Sequence, residues 1–442
     1  ETSDATLENI KLLSNPNTLS VTTGHQLNIF SGPLMVIYKI AQVISTTNYL
    51  NLKIKNFNYV PVFWIASEDH DFEEISEVNL HKNKINWKLD SKNSPVGEIK
   101  LNDFKQVKSA YKNSIIDFEY KDKLESIIDD AYKDGETLST ANIKFINSLF
   151  AGHGLVIIDS NRRVFKKTFL DNFKNEILDS RCYVDSNSQI SKIKNDIKSF
   201  KPQVNPSDIN FFKITKNGRK RIRKNGKKFI VDDEDEYTLD EIINQIESYP
   251  ELFSPNVLMR ALYQEKILPN VCYVGGPNEL KYWMQLKLYF ENSSVQFPIL
   301  KLRTSAFILD KKTSIKITKS NIEMKYFFGK LDDLLDFKIN TSSKLNLSFD
   351  SLKTTLTNQF DELRRVSIKT NESFIGALNA QEKKQIKGLV DLEKKLRKAE
   401  KKNHETEVNK IKSLFESLHP NDSDQERYLN FGNFYSFKGQ EL

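Results

Sequence analysis

From Glu68 to Asp71 the chain sets three carboxylates and an imidazole in consecutive positions, Glu68-Asp69-His70-Asp71. Groups of this kind can hold an amine, move a proton as acid or base, or bind a divalent cation. They follow the apolar run Pro61-Val62-Phe63-Trp64-Ile65-Ala66 and precede Phe72. Such a run reads as a strand, and open α/β sheets place their ligand crevices at strand ends. Four sequence neighbours cannot all face one point. Two of them are expected in a pocket, Glu68 with His70 or Asp69 with Asp71, and capping of a helix is the competing use. No second ligand pair with metal spacing appears, so no metal is assigned.

Two further segments repeat the pattern of strand, polar or Gly-rich turn, and helix. The first is Thr22-Thr23-Gly24-His25-Gln26-Leu27-Asn28-Ile29-Phe30-Ser31-Gly32-Pro33-Leu34. Gly24 permits a tight turn, and Gly32-Pro33 is expected to open a helix whose N–H groups face the crevice and stabilise an anion. His25 and Gln26 can donate hydrogen bonds to a phosphate, carboxylate or hydroxyl. The second is Val274-Gly275-Gly276-Pro277-Asn278-Glu279, continuing to Tyr282-Trp283, with Pro277 suited to a first helical turn and Glu279 to its positive end. His81 and His153 are isolated and read as structural. Cys272 lies in an apolar run, and Cys182 has no neighbouring His to activate it.

The elements that must carry these residues follow from periodicity. Apolar runs at Leu19 to Thr22, Tyr59 to Ala66 and Gly154 to Ile158 alternate with helical stretches, one of them with Leu34, Ile37, Tyr38, Ala41 and Ile44 on a single face. Strands alternating with helices imply a parallel sheet, so the fold class expected is α/β with a Rossmann-like core. Residues 1–180 form its first half, with a helical insertion around 100–150. Residues 181–250 read as a polar insertion in which Gly218-Arg219-Lys220-Arg221-Ile222-Arg223 sits between Phe211-Phe212 and Phe229-Ile230-Val231, as in a β-hairpin or small meander. Its charges, together with Asp232-Asp233-Glu234-Asp235-Glu236, read as a solvated face, with an anion-binding patch as the other use. Residues 251–345 are the second half of the core. Residues 346–420 carry 3–4 spacing at Leu352, Leu356, Phe360 and Leu363 and again from Ile386 to Ala399, an antiparallel helical coiled coil joined near Thr370 to Leu378. Asn403, His404 and Thr406 weaken its seam. Residues 421–442 return to the core.

Composition narrows the classes. The 442 residues are 38% hydrophobic and 28% charged, ordinary for a globular protein. The net charge of +7 is spread among alternating acids and bases, which argues against a nucleic-acid partner. Two distant cysteines cannot build a disulfide framework, so a reducing cytoplasm is expected. No run reaches the length of a membrane span. The chain opens at Glu1, without methionine, and residues are expected to be missing at either end.

Taken together and in order, these segments resemble a known family. Thr23-Gly24-His25-Gln26 with Phe30-Ser31-Gly32-Pro33-Leu34 and Tyr38-Lys39, the Pro61 to Phe72 segment, Pro255 to Arg260, Leu268-Pro269, the Val274 to Trp283 segment and Gln425-Glu426-Arg427 closely resemble the cysteine-adding enzymes of bacillithiol biosynthesis, BshC, over essentially the whole chain. The family more often has glutamine at the position of His25, which puts a proton-transfer role for His25 in doubt. The resemblance implies a core related to class I aminoacyl-tRNA synthetases, connecting-peptide-like insertions, and a coiled coil that supports a homodimer. It implies condensation of the cysteine carboxyl with the glucosamine amine of glucosaminyl malate. A free carboxylate must be activated for this, so ATP or another adenine nucleotide is the cofactor it implies, with magnesium left open. Gly24, His25, Gln26 and Gly32, with Thr23 and Ser31 beside them, would hold phosphates. Glu68 or Asp69 would hold the cysteine ammonium or the attacking amine, with His70 as a base. Gly275, Gly276, Asn278, Glu279, Tyr282 and Trp64 would complete the walls, and Lys39, Arg260, Lys301 or Arg303 would meet the malate carboxylates. A synthetase-like or nucleotidyltransferase-like enzyme of other specificity and a coiled-coil adaptor are the alternatives.

Overall fold

The computed structural model describes residues 2–81, 83–89, 95–216, 218–232, 235–367 and 372–441. Two strands open the core, β1 (Thr18–His25) and β2 (Asn58–Ile65), followed by a small antiparallel pair, β3 (Glu77–Leu80) and β4 (Asn83–Asn86). β5 (Val156–Asp159) is the third core strand. An inserted region then holds β6 (Phe211–Thr215), β7 (Gly218–Asn225), β8 (Lys228–Val231), β9 (Asp235–Tyr237) and β10 (Phe253–Pro255). The core resumes with β11 (Asn270–Gly275) and β12 (Ile299–Leu302).

The core sheet is parallel throughout, in the order β12-β11-β1-β2-β5. The chain steps outward from β1 through β2 to β5, then returns to lay β11 on the other side of β1. The strand order therefore reverses between β1 and β11, where doubly wound sheets open a crevice. The helix Met35–Lys53, which follows β1, buries Val36, Ile40, Val43, Ile44 and Thr47 at 3–4 spacing. Along β2 the period of two aims Val60, Val62 and Trp64 into one cluster with Phe169, Phe173, Tyr263 and Trp283. Trp64 is fully buried there, edge-on to Tyr263 at 5.5 Å.

The insertion is a second sheet, antiparallel, in the order β10-β6-β7-β8-β9. Asp233 and Glu234 of its expected acidic run lie outside the described residues.

The chain divides into two compact units, one of residues Glu1–Ala306 and Glu426–Leu442, the other of Phe307–Gln425. The expected second half of the core, 251–345, thus ends earlier: Ile317, Phe327, Leu334 and Ile339 pack with Val408, Ile411, Leu414 and Leu418 in the second unit. That unit contains the helices Asp350–Ser367 and Glu372–Asn403, which pack against each other. Thr370, in the expected joint, lies outside the described residues, and the helix is already under way at Glu372, so 372–378 are helical. At His404 the chain breaks before the next helix, Glu405–Leu418, at the place where the apolar seam weakens.

Candidate active site at the sheet switch point

At the C-terminal ends of β1, β2 and β11 the structure opens a cavity of about 550 Å³. Gly24, His25 and Gln26 line it from β1, Glu68 and Asp69 from β2, and Gly276, Asn278, Glu279 and Tyr282 from the turn and helix after β11. Three of the sequence segments thus meet at one place, although they are separated by more than 200 residues.

One wall is the β1/β11 junction. Lys39, on the helix after β1, is fully buried and donates to the Gly24 carbonyl at 2.6 Å and to Glu279 at 2.9 Å. Glu279 also accepts from the Tyr273 hydroxyl and from the N–H of Gly276. Burial disfavours the Glu279 charge, but Lys39 and the Gly276 N–H outweigh it and hold the carboxyl at about 2. His25 is pushed the other way: burial, with Lys39 nearby, lowers its imidazole to about 4, so it is neutral at physiological pH. Lys39 therefore closes the junction and is not a contact for a malate carboxylate.

Each helix start of this wall has one N–H taken within the chain. The Gly276 N–H is taken by the carboxylate of Glu279, three residues on, while Asn278 and Glu279 of the first turn line the cavity. Ahead of the helix Met35–Lys53, Phe30, Ser31 and Gly32 take consecutive positive φ values of 49°, 64° and 66°. The turn folds onto the C-terminal segment, where Asn430 donates to the carbonyls of Phe30 and Gly32 at 2.9 and 2.5 Å and the N–H of Leu34 donates to the Leu429 carbonyl. A Cβ at Gly32 would meet Asn28 Cβ at 2.6 Å. Ser31 and Gly32 are thus a packing turn that does not line the cavity, whereas Met35, the first residue of the helix that follows, does. Thr23 turns its hydroxyl to the Val274 carbonyl, and Gly275 is packed under Tyr273 and Leu280. Trp64 is core, since the strand period points it through the sheet to the opposite face from a site.

The other wall, at the end of β2, separates the four consecutive polar residues. Glu68 is 3% exposed and ion-paired with Lys166, itself wholly buried on the short helix Arg163–Lys167. Its second oxygen, Oε1, has no hydrogen-bond partner. Asp69 is a quarter exposed, and its contacts fall on Oδ1: the His70 N–H at 2.7 Å and Arg219 Nη1 at 3.3 Å. Burial works against its charge, but hydrogen bonding from His70 and the Arg219 cation overcome this and hold it at about 2. His70 is nearly half exposed, with Nδ1 3.4 Å from Asp69 Oδ1. Asp71 is the N-cap of the short helix Phe72–Ile75, accepting from the Glu74 N–H, and takes no part in the cavity.

Cations complete the lining. Arg260, on the helix Val257–Ile267, donates among the described residues to neutral groups, Gln264 Oε1 at 3.4 Å and the Tyr282 hydroxyl at 2.9 Å, with the Glu279 charge nearby. A Cβ at Gly24 would lie 3.3 Å from the Trp64 carbonyl oxygen and 3.4 Å from Arg260 Nη1, so the strand end and the guanidinium are close neighbours. Arg303 is paired with Glu426 at 2.5 Å, both nearly fully buried, which ties the returning C-terminal segment to this rim and brings Arg427 to the lining. Arg221 lines the cavity from β7, whereas Lys301 does not line it. Sequence reading missed Arg219, Arg221 and Lys166. The available signal for two of them is the alternation of β7, which sends Arg219 and Arg221 to one face and fits the anion-binding use of that segment that the sequence leaves open beside a solvated face.

A doubly wound parallel core with a charged crevice at its switch point, an inserted antiparallel sheet and a separate helical unit define a Rossmann-like enzyme of small polar substrates. The chain belongs to the BshC family of bacillithiol biosynthesis. Residues 1–304 match that family's N-terminal Rossmann-like domain, and residues 306–442 match its C-terminal coiled-coil domain. It is 39% identical over 443 residues to a protein of Flavobacterium johnsoniae named as a cysteine ligase, BshC, covering 100% of this chain and 83% of that one. The counterparts from Christiangramia forsetii and Bacillus mycoides, which carry the same name, are 40% and 27% identical, with 82% and 81% of their lengths covered by 100% and 96% of this chain. A solved structure named as an arginyl-tRNA synthetase, from Campylobacter jejuni, aligns over 100% of this chain and 97% of its own at 9% identity, but its TM-score of 0.24 is too low to carry an argument.

Proposed function

We propose that this protein is a cysteine ligase that joins the carboxyl group of L-cysteine to the glucosamine amine of glucosaminyl malate, the final step of bacillithiol biosynthesis. The observation that carries the reading is full-length membership of the BshC family combined with a switch-point cavity that presents both an ionised carboxylate and a guanidinium hydrogen-bonded to neutral groups. In this reading Asp69 receives the cysteine ammonium on Oδ2, and His70 beside it accepts the proton that the attacking amine must lose. Glu68 is excluded from that role by its pairing with buried Lys166.

Amide formation from a free carboxylate is uphill in water, and an adenine nucleotide would supply the activation. An anionic group would meet Arg260, with Arg221 at the rim. Arg303 is spent on Glu426 and sets the rim without a free fork. A homodimer through the helical hairpin is supported by exposed apolar side chains at Leu352, Leu363, Val366 and Leu392. A reducing cytoplasm suits the two free thiols, and among the described residues no helix is long and apolar enough to cross a membrane.

The test is mass-spectrometric product analysis of the protein given cysteine and glucosaminyl malate, with and without ATP and magnesium. Bacillithiol formed only with ATP supports the ligase and its nucleotide. Cysteine ligation to a different amine would move the protein to a synthetase-like enzyme of other specificity, and no product under any condition would overturn the reading.

A further inference from the structure

Arg219 reaches the cavity from an element foreign to the core sheet. It stands on β7 of the insertion, paired across to Ile214 of β6, and its side chain is 8% exposed. Four contacts hold it. Nη1 lies 3.3 Å from Asp69 Oδ1 and 3.3 Å from His70 Nδ1. Nη2 donates to the Pro255 carbonyl of β10 at 2.6 Å, and the guanidinium lies over the Phe212 ring at 4.1 Å. A cation so far removed from water is costly unless paired, and the paired carboxylate here is the one that faces the cavity.

We propose that Arg219 is a positioning residue of the ligase site: by binding one oxygen of Asp69, it orients the other oxygen of Asp69 to receive the ammonium of the amino-acid substrate. This rests on the reading of Asp69 given above. Asp69 lies in the turn four residues past the end of β2 and is held there on one oxygen by the His70 N–H and by Arg219. A carboxylate fixed at one oxygen keeps its second oxygen pointed at the crevice at little further entropic cost on binding, which is where preorganisation improves affinity. The fork geometry matters as well as the charge, because the same guanidinium must also satisfy Pro255 and stack on Phe212. A lysine, which is a point donor, cannot do all of these at once. The inserted sheet thereby becomes part of the substrate site.

The experiment compares the full chain with R219M, R219K and K220M. Lys220 sits one residue along on the opposite face of β7, paired with Asp232 at 2.7 Å, and reports damage to the strand itself. Steady-state kinetics should show the KM for cysteine raised about tenfold or more in R219M, with the KM for glucosaminyl malate unchanged and partial recovery in R219K. K220M should match the wild type. Carbon-13 NMR of the Asp69 carboxyl supplies a readout that needs no turnover. Its titration, near 2 in the intact protein with Arg219 and His70 on one side and the acids Asp71 and Glu74 on the other, should move up in R219M. An R219M protein with wild-type KM for cysteine and an unmoved Asp69 titration would overturn the proposal. Equal loss in K220M, or parallel rises in both KM values, would assign Arg219 a purely structural role and overturn it too. If the wild type ligates no cysteine at all, the functional reading fails, and the NMR arm still decides whether Arg219 holds Asp69.

Discussion

The two walls of the cavity solve the same electrostatic problem with different parts of the chain. At the β1/β11 junction, the buried charges are satisfied by the sheet's own neighbourhood: Lys39 and Glu279 sit on helices that directly follow the two strands, and they neutralise each other against the Gly24 carbonyl. At the end of β2, both carboxylates depend on residues far away in sequence, Glu68 on Lys166 and Asp69 on Arg219 of the inserted sheet. The first wall pairs its buried charges within itself. The second leaves one oxygen of a firmly ionised carboxylate turned toward solvent. In the proposed function, holding the amine falls to the second wall, and the first supplies shape and the neighbouring Arg260.

The sharpest break in this comparison is at Lys166. K166M leaves Glu68 buried without its cation, which costs about 3–5 kcal/mol, whereas K166M combined with E68M removes both charges and should recover most of the loss. Urea denaturation of the three proteins measures it, and near-equal stability of K166M and wild type would show that the pair is not the anchor of this wall.

Acid should separate the walls next. His25 of the first wall titrates at about 4 when folded against an ordinary 6.5, so between those values the unfolded chain binds more protons than the folded one. Stability from this group is then complete above pH 6.5 and is lost as pH falls toward 4, by at most about 3 kcal/mol. The wild type should show this slope in denaturation curves taken across that window, and H25Q should lack it. Asp69 and Glu279, both held near 2, keep their contributions until lower pH and lose them as pH falls from the ordinary carboxylate range toward 2.

A smaller effect sharpens the division of labour. R260M should raise the KM for the anionic substrates about tenfold, roughly 1.4 kcal/mol, and leave the KM for cysteine in place, the reverse of R219M. Steady-state titration of each substrate in turn decides it.

Much of this arrangement could be read from the sequence, and the parts that could not have a common cause. The three strand-end segments and the parallel core follow from local signals: apolar runs, glycines, and 3–4 spacing. Partners do not. Nothing near Glu68 announces Lys166, and nothing near Asp69 announces Arg219, because both pairings are set by where an insertion and a short helix come to rest. Trp64 shows the limit within a strand. Its position at a strand end is legible, but the face it takes depends on register, and here the period of two carries it to the core side with Val60 and Val62. Gly32-Pro33 looks like a helix start open to an anion until the C-terminal Leu429 and Asn430 fold onto it. The order of that return is written in the chain only as a resemblance at Gln425-Glu426-Arg427.

Calorimetric binding of cysteine to the wild type and to D69N tests most directly the claim that the β2 wall presents Asp69 to the substrate amine. The account predicts that D69N, still folded as judged by its denaturation midpoint, binds cysteine at least about tenfold more weakly, since an uncharged amide replaces the partner of an ammonium. Cysteine bound by D69N with wild-type affinity would contradict it.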